Sequence, residues 1–296
     1  MNSIQLIATG RCPVCFQPSS KNPRFQLDDF SVFDCPSCSV RFIDPSLTSD
    51  QQMLIYQNSE ILTQINPALE EYYEYDVLNP NSRTFKDYER ALNQAETKVE
   101  TKTLCEIGCG TGAFLKYAKS RGWEVSGLDS SAENIAALKN SGINAIHADI
   151  FQTNQLPQFD VVVLWDVIEH PQDPRGLLKI CMRLLKPHGI LLIATPCYPN
   201  LLSVLAGIFY LLTFGKWCGP IKKMYMLEHT SYFSPATLEG LLSKSGYKEV
   251  ERWRTETDLK RYRFSFLTRM ALNGAFFIAR VLGLQNRLIS ISQRVI

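Results

Sequence analysis

Residues 103–112 read T-L-C-E-I-G-C-G-T-G, and this segment constrains the fold more than any other part of the chain. A short apolar strand ends near an acidic residue, and three glycines follow at alternate positions. Glycine allows close approach of the backbone to a ligand, so we expect a Cβ at Gly108, Gly110 or Gly112 to obstruct one. The loop then opens a predicted helix at 113–120, whose N-terminal amides form a site for an anion.

The glycines alone leave two cofactors open. Gly108-x-Gly110-x-x-Ala113 also fits the G-x-G-x-x-G/A pattern of dinucleotide-binding domains. Glu106 favours the other choice, because a carboxylate beside a pyrophosphate would repel it. S-adenosylmethionine (SAM) brings an ammonium group, a sulfonium and a carboxylate, and this mixed charge suits an acid next to a row of backbone amides.

Further strands with polar ends follow the loop. The second predicted strand, 123–128, ends at Asp129, which is placed to accept hydrogen bonds from both hydroxyls of a ribose. The third unit, 142–150, ends in Asp149 and Ile150, a pair that could bond an adenine amino group and cover its ring. A fourth strand at 159–164 runs into W-D-V-I-E-H-P, and a fifth is predicted at 190–194.

Taken together, these motifs resemble the class I SAM-dependent methyltransferases, in particular the branch that acts on small molecules. The matching stretches are E-I-G-C-G-T-G at 106–112, G-L-D at 127–129, A-D-I at 148–150, D-V-I-E-H at 166–170, L-K-P-H-G at 185–189, and E-H-T-S-Y-F-S-P-A-T-L with G-Y at 228–247. The resemblance implies an α/β fold: a Rossmann-like seven-stranded sheet, mostly parallel, with helices on both faces and an antiparallel last strand. An ordinary doubly wound domain, or one that binds a nicotinamide cofactor, is the alternative.

The resemblance also implies how the cofactor would be held. Glu106, Gly108 and Gly110 would hold the methionine end of SAM, Asp129 the ribose and Asp149 the adenine. The complete set of predicted cofactor residues is Glu106, Gly108, Cys109, Gly110, Gly112, Asp129, Ser130, Asp149, Ile150 and Trp165. The chain is therefore expected to be a SAM-dependent methyltransferase.

Two C-x2-C pairs near the N-terminus account for four of the nine cysteines: Cys12, Cys15, Cys35 and Cys38. Such pairs can present four thiolates to one zinc ion in a tetrahedral site. With no open coordination position this zinc would be structural, so we predict a zinc-ribbon-like module at 1–45 that needs the ion to fold. Catalytic zinc and a redox role are the alternatives. Acidic and basic residues balance in this module, and no nucleic-acid partner is expected.

The rest of the chain divides into two predicted parts. Residues 46–100 are expected to form a helical connector that packs over the cofactor mouth, and the tyrosines of its acidic aromatic cluster at 70–75 could line a substrate pocket or simply pack. Residues 101–296 are assigned to the methyltransferase domain. Residues 1–11 lack the apolar stretch of a signal peptide, which predicts a cytoplasmic protein.

Methyl transfer to a hydroxyl or an acidic carbon needs a base, and histidine is the usual candidate near neutral pH. His147 and His188 are predicted to be structural. His229 is the first choice for the general base, and His170, which follows the fourth strand, is the second. The alternative for His170 is that Glu169-His170-Pro171 starts a helix.

Two segments have unusual apolar patterns. An insertion at about 199–227 includes fourteen nearly unbroken apolar residues at 201–214, too few to span a bilayer. A basic amphipathic helix is predicted at about 259–283, within a segment, 259–296, that contains no Asp or Glu. Peripheral membrane contact through both segments is one prediction. The alternative for the insertion is a lid or pocket wall, the alternatives for the helix are packing on the sheet or a dimer face, and the oligomeric state is left open. Residues 288–295 alternate as an edge strand does.

The leading predicted function is transfer of a methyl group from SAM to an oxygen or carbon of a small molecule. The acceptor classes considered are a sugar, a quinone-like or polyketide intermediate, and a lipid-linked precursor. The alternative is an RNA or protein methyltransferase that holds a macromolecule with the zinc module. A noncatalytic cofactor-binding protein is the third class, and the intact cofactor motif argues against it.

Overall fold

A computed structural model describes residues 6–57, 78–152, 156–262 and 264–295. Its main sheet consists of β6 (Thr103–Ile107), β7 (Glu124–Asp129), β8 (Asn144–His147), β9 (Phe159–Trp165), β10 (Leu185–Pro196), β12 (Tyr247–Thr255) and β13 (Arg287–Arg294). Their spatial order is β12-β13-β10-β9-β6-β7-β8. β13 is antiparallel to both neighbours, whereas the other adjacent pairs are parallel. The predicted α/β fold with seven strands and an antiparallel last strand is confirmed.

The position of the last strand differs from the expectation of an edge strand. β13 lies between β10 and β12, so both of its edges are paired. Its serines are buried, and Ser290 Oγ donates a hydrogen bond of 2.7 Å to Glu249 Oε1 on β12. The polar positions in the alternating pattern of 288–295 are therefore buried serines whose hydroxyls have hydrogen-bond partners. They do not form a solvent-facing side of the strand.

Helices cover both faces of the sheet. They are α1 (Ser49–Gln57), α2 (Arg83–Glu96), α3 (Ala113–Ser120), α4 (Ala132–Asn140), α5 (Pro174–Leu184), α6 (Leu201–Leu212), α7 (Gly219–Lys222), α8 (Pro235–Lys244) and α9 (Phe266–Leu282). Every residue of β9, F-D-V-V-V-L-W, is buried, as expected for a parallel strand covered on both sides. Val161 and Val163 pack with α2 and α3, while Val162 and Leu164 pack with α5 and α8.

The N-terminal cysteines belong to a small second sheet. It contains β2 (Phe25–Gln26), β3 (Ser31–Asp34) and β4 (Arg41–Asp44), and its fourth strand, β11 (Ser231–Tyr232), comes from the second half of the chain. Two further short strands, β1 (Leu6–Ile7) and β5 (Ser46–Leu47), pair with each other. Val40 and Phe42 pack into the core that covers β9 and β10. The predicted module is therefore joined to the main domain through a shared sheet and a shared core.

The two apolar segments form adjoining helices. The insertion contains α6 and α7, and the basic segment contains α9, which Ser265 caps at the N-terminus and Gly283 ends with a left-handed φ of 65°. α6 and α9 contact each other, and Leu201 N donates a 2.9 Å hydrogen bond to Leu284 O. Among the described residues, every helix is too short or too polar to cross a membrane. The tyrosine cluster at 70–75 lies outside the described residues.

Candidate cofactor and acceptor site

The glycine loop joins β6 to α3, and its three glycines serve different purposes. All three have positive φ, of 68° at Gly108, 50° at Gly110 and 70° at Gly112. A Cβ at Gly108 would lie 2.7 Å from Val167 Cγ2, and one at Gly112 would lie 2.2 Å from Leu138 Cδ2. Of the three, Gly110 alone has open space around a Cβ. Gly108 and Gly112 thus leave space for protein side chains, and the role of the three glycines in making room for a ligand stays a prediction.

A large cavity, of about 1570 Å³, opens at the carboxyl ends of the parallel strands. Ligands bind at this edge in open α/β sheets. The cavity is lined by nine of the ten predicted cofactor residues, namely Glu106, Gly108, Cys109, Gly110, Asp129, Ser130, Asp149, Ile150 and Trp165. Gly112 is the exception. It is the N-cap of α3 and contributes its left-handed backbone to the turn.

Backbone hydrogen bonds hold the side chain of Asp129 next to the glycine loop. Its Oδ2 accepts a 2.7 Å hydrogen bond from Gly110 N, and its Oδ1 accepts one of 2.8 Å from Ser131 N. Each carboxylate oxygen can accept more than one hydrogen bond, so the group still has capacity for two hydroxyl donors. The carboxylate is thus fixed in place and able to receive a ribose.

Glu106 is a buried acid with an unsatisfied oxygen. Its side chain is 3% exposed, and Oε2 has no hydrogen-bond partner in the described part of the chain. Burial raises the pKa of Glu106 well above its ordinary value, and the nearby charge of Asp129 raises it further. A buried carboxyl with a free oxygen is costly unless a donor or a cation pairs with it. The ammonium group of SAM would be such a partner, and the assignment of Glu106 to it stays a prediction.

The part of the cavity that is predicted to hold adenine lies after β8. Asp149 Oδ1 accepts a 2.9 Å hydrogen bond from Phe151 N, and Ile150 begins a short 3₁₀ turn. His147, the last residue of β8, has its Nε2 2.9 Å from Ser130 O, which ties this loop to the end of β7. This contact fits the structural role predicted for His147.

Trp165 ends β9 and forms an aromatic wall of the cavity. Its ring stacks on Phe114, with 5.5 Å between centroids and 23° between planes, and meets the edge of Tyr88 at 4.5 Å. Phe114 lies on α3 and Tyr88 on α2, so the wall joins the glycine-loop helix to the connector helix. The sequence predicted the contribution of Trp165 but not that of Tyr88.

The cavity also contains a compact cluster of Glu169, His170 and His229. One nitrogen or oxygen atom of each side chain lies within 4.8 Å of those of the others, and the two imidazole centroids are 4.7 Å apart. Backbone hydrogen bonds hold the loop after β9, which contains Glu169 and His170, against the segment that contains His229. Thr230 N and Ser231 N donate to Glu169 O at 2.9 and 3.1 Å. The structure thus places the two predicted catalytic histidines side by side.

Burial controls the protonation of this cluster. It raises the pKa of Glu169 to about 7, although nearby His170 acts in the opposite direction. Glu169 Oε2 accepts a 2.9 Å hydrogen bond from Thr195 Oγ1, whereas Oε1 has no hydrogen-bond partner within the described ranges. The pKa of His229 is well below its ordinary value because of burial, His170 and Arg287. The lowered pKa favours the neutral imidazole of His229, the form in which one ring nitrogen is an acceptor.

His170 is fixed by groups that the sequence did not indicate. Its Nδ1 lies 2.7 Å from Tyr56 Oη and 2.9 Å from Glu228 O, and its backbone carbonyl accepts a 2.8 Å hydrogen bond from Gln52 Nε2. Tyr56 and Gln52 lie on α1, in the connector. No motif around them could have identified them, because their contact with His170 is created only by tertiary packing.

The alternative in which Glu169-His170-Pro171 starts a helix is wrong. The next helix, α5, begins at Pro174, and its N-cap is Asp173, whose Oδ1 accepts a 2.8 Å hydrogen bond from Gly176 N. Aspartate followed by proline is the stronger N-terminal signal. Glu169 and His170 consequently remain in the loop that faces the cavity.

The four N-terminal cysteines converge on one point. Cys12 Sγ lies 3.6 Å from Cys38 Sγ, and Cys15 Sγ lies 3.5 Å from Cys35 Sγ. Zinc–sulfur bonds of about 2.3 Å in a tetrahedron place the sulfurs about 3.8 Å apart, so the cluster fits a zinc site with four cysteine ligands. The residues after the two pairs, Phe16 and Ser39, both have φ of 61°, so the two turns have matching geometry.

Comparison with known proteins agrees with the α/β fold. The family profile described as a methyltransferase domain matches residues 81–252. The ubiquinone biosynthesis O-methyltransferase of Caulobacter vibrioides is 34% identical over 109 residues, which are 34% of this chain and 43% of the relative. The enzyme of the same name from Rhodopseudomonas palustris is 36% identical over 104 residues, 31% of this chain and 39% of the relative. The match thus spans about two fifths of the length of these relatives.

Solved structures share the fold at low sequence identity. Magnesium protoporphyrin IX methyltransferase from Synechocystis aligns with a TM-score of 0.51 and 13% identity, over 82% of this chain and 99% of that one. A SAM-dependent methyltransferase from Archaeoglobus fulgidus aligns with a TM-score of 0.50 and 20% identity, over 75% of this chain and all of the other. These alignments support the fold assignment.

Proposed function

This chain belongs to the methyltransferase-domain family, and from that premise we propose that it is a SAM-dependent enzyme that methylates a hydroxyl of a small, quinone-like molecule. The observation that carries the proposal is the neutral, buried His229, which lies beside His170 in the same cavity as the glycine loop. Methylation of a hydroxyl releases a proton, and a histidine beside the acceptor could take it up. The names of the curated relatives, which are O-methyltransferases of ubiquinone biosynthesis, point to the same acceptor class.

The cofactor would be held by residues from three strand ends. Glu106 would pair with the ammonium group, Asp129 would accept the ribose hydroxyls and Asp149 would bond the adenine. When bound, SAM supplies a methyl group that its sulfonium already activates. Positioning of the two reactants accounts for most of the rate of such transfers, so the role of the protein is chiefly to hold the acceptor oxygen in line.

Proton removal would be the task of the histidine cluster. We propose that His229 takes the proton of the acceptor hydroxyl as the new oxygen–carbon bond forms. His170 would act as a positioning residue, because its Nδ1 side is already engaged by Tyr56 and Glu228. Glu169 would stabilise the positive charge that develops on the imidazole pair.

The direct test is to supply SAM with an isotope-labelled methyl group together with a panel of acceptors. The panel contains a prenylated catechol, a nucleotide sugar, bulk RNA and unfolded protein. We expect label on a phenolic oxygen of the catechol and none on the macromolecules. Label on RNA or protein instead would overturn the proposal in favour of the macromolecular alternative.

The turnover rate is expected to rise with pH through about 7. Burial raises the pKa of Glu169 to about 7, so this carboxyl is neutral below that pH and ionised above it. Only the ionised form stabilises a protonated histidine, and Glu169 Oε1 lies 4.0 Å from His170 Nε2. The pH profile of kcat for the wild type and for Glu169→Gln provides the measurement. An undiminished rise in the variant would show that another group is responsible.

We further propose that Cys12, Cys15, Cys35 and Cys38 hold a structural zinc ion. Cys12 and Cys35 are buried, and the module shares its core with the main domain, so loss of the ion should weaken both. Binding free energies of structural zinc reach about 10–16 kcal/mol in isolated zinc-finger peptides.

For Cys35→Ser we expect loss of bound zinc and a Tm lower by at least about 10 °C, because a few kcal/mol shift the Tm of a domain of this size by that amount. Metal analysis and thermal unfolding provide the readouts. Cys218→Ser is the matched control, since Cys218 lies outside the cluster, and it should keep one zinc per chain. Wild-type protein that purifies without zinc and does not respond to chelators would contradict the assignment.

A further inference from the structure

The insertion and the basic segment expose an unusually large apolar surface. We define the apolar face as the outward side chains of α6, of the turn after it and of α9: Leu205, Ile208, Leu211, Leu212, Phe214, Trp217, Phe266, Leu267, Met270, Phe277, Ile278, Val281 and Leu282, all exposed. Phe214 is 90% exposed and Leu267 76%. Since α6 and α9 contact each other, these exposed side chains lie on adjoining helices, and large exposed apolar patches mark interaction sites.

The inner sides of the same helices have other roles. On α6, Gly207 approaches the ring of Phe25, to which a Cβ would come within 3.2 Å, and Tyr210 Oη accepts a 3.1 Å hydrogen bond from Gln26 N. On α9, Leu272 and Phe276 line the cavity. Both helices are therefore anchored to the protein on one side, and the apolar face is an outer surface that those contacts leave uncovered.

The charges near the apolar face indicate which kind of surface it binds. Residues 199–227 and 259–296 contain no Asp or Glu. Exposed Lys216, Lys223 and Lys260 have no carboxylate within salt-bridge distance among the residues that the structure describes. Other basic residues nearby are paired, for example Arg280 with Glu256 at 2.7 Å. An apolar face with free lysines around it complements a surface that is anionic outside and apolar beneath.

We infer that this apolar face docks on an anionic lipid bilayer, with the outer sides of α6 and α9 in the interface and the lysines at the headgroups. A second copy of the chain is a poorer partner, because a twofold contact through the same face would bring the free lysines of both copies together. The inference does not rest on the identity of the acceptor. Because Leu272 and Phe276 also line the cavity, docking would place its mouth beside the bilayer.

Vesicle sedimentation tests the inference with the full chain. Binding is measured to phosphatidylcholine vesicles and to vesicles that also contain phosphatidylglycerol, at low and at high salt. We expect binding to the anionic vesicles that weakens with salt, and little binding to the neutral ones. The variant Phe214→Ser with Leu267→Ser should bind at least about tenfold more weakly, because burial of two large apolar side chains is lost.

Val250→Ser is the matched control, since Val250 is an exposed apolar residue on β12 and lies outside the apolar face; it should bind like the wild type. Thermal unfolding and SAM affinity should be unchanged in the double variant, because neither residue lines the cavity. Absence of vesicle binding by the wild type, or equal binding by the double variant, would overturn the inference. A concentration-dependent dimer that the double variant abolishes, without vesicle binding, would assign the face to a second copy instead.

Discussion

Asp129→Ala is expected to lower the affinity for SAM by about 10²–10⁴-fold. Hydrogen bonds to a charged group contribute about 1.5–3 kcal/mol each, the variant loses two of them to the ribose, and each 1.4 kcal/mol is a factor of ten. The wild-type carboxylate is already positioned by Gly110 N and Ser131 N, so little of this free energy is spent on ordering the side chain.

Isothermal titration of SAM into wild type and variant measures this loss. Glu124→Ala is the matched control, because Glu124 is an exposed acid at the opposite end of the same strand, β7, and should leave the affinity unchanged. Thermal unfolding checks that the glycine loop is still formed without its contact to Asp129. An Asp129→Ala protein that is folded and binds SAM with wild-type affinity would remove Asp129 from the cofactor site.

His229→Gln is expected to lower kcat by about 10²–10⁴-fold while the affinity for SAM stays the same, because a positioned general base contributes a factor of this size. Glutamine is polar and similar in length, yet it cannot take up a proton. The ring of His229 packs against those of His170 and Tyr232, with centroid distances of 4.7 and 5.9 Å, and glutamine keeps a polar group of similar size there.

Two other histidine variants give the comparison. His188→Gln should be silent, because His188 lies near the start of β10 and does not line the cavity. His170→Gln should have an intermediate effect, since it removes the contacts to Tyr56 and Glu228 but leaves the proposed base in place. Single-turnover rates and SAM titrations separate chemistry from binding. If His229→Gln kept full turnover and His170→Gln lost it, the two roles would have to be exchanged.

The sheet could be predicted because each strand is encoded locally. β9 is a continuous apolar run, and the helix predicted at 113–120 was observed at Ala113–Ser120. The strand-to-loop transitions also carried the polar residues that face the cavity, which is why nine of the ten predicted cofactor residues line it. At these positions the strand pattern and the polar residues lie next to each other in the sequence, so the sequence was sufficient to predict which residues line the cavity.

The remaining features depend on contacts between distant segments. The strand β11 completes the N-terminal sheet from almost 200 residues away, with Ser231 opposite Phe42. Gly108 and Gly112 are required by Val167 and Leu138, whose approach follows from tertiary packing alone. Tyr56 reaches His170 in the same way. Neither periodicity nor motif spacing contains such information.

We propose that SAM binds at the glycine loop with its methyl group directed toward the histidine cluster. A crystal structure of the complex with S-adenosylhomocysteine tests this most directly. We expect the ribose hydroxyls on Asp129, the amino group beside Glu106, and the sulfur facing the part of the cavity that contains His229. A ligand bound away from Asp129 and Glu106, or a sulfur that faces away from His229, would contradict the account.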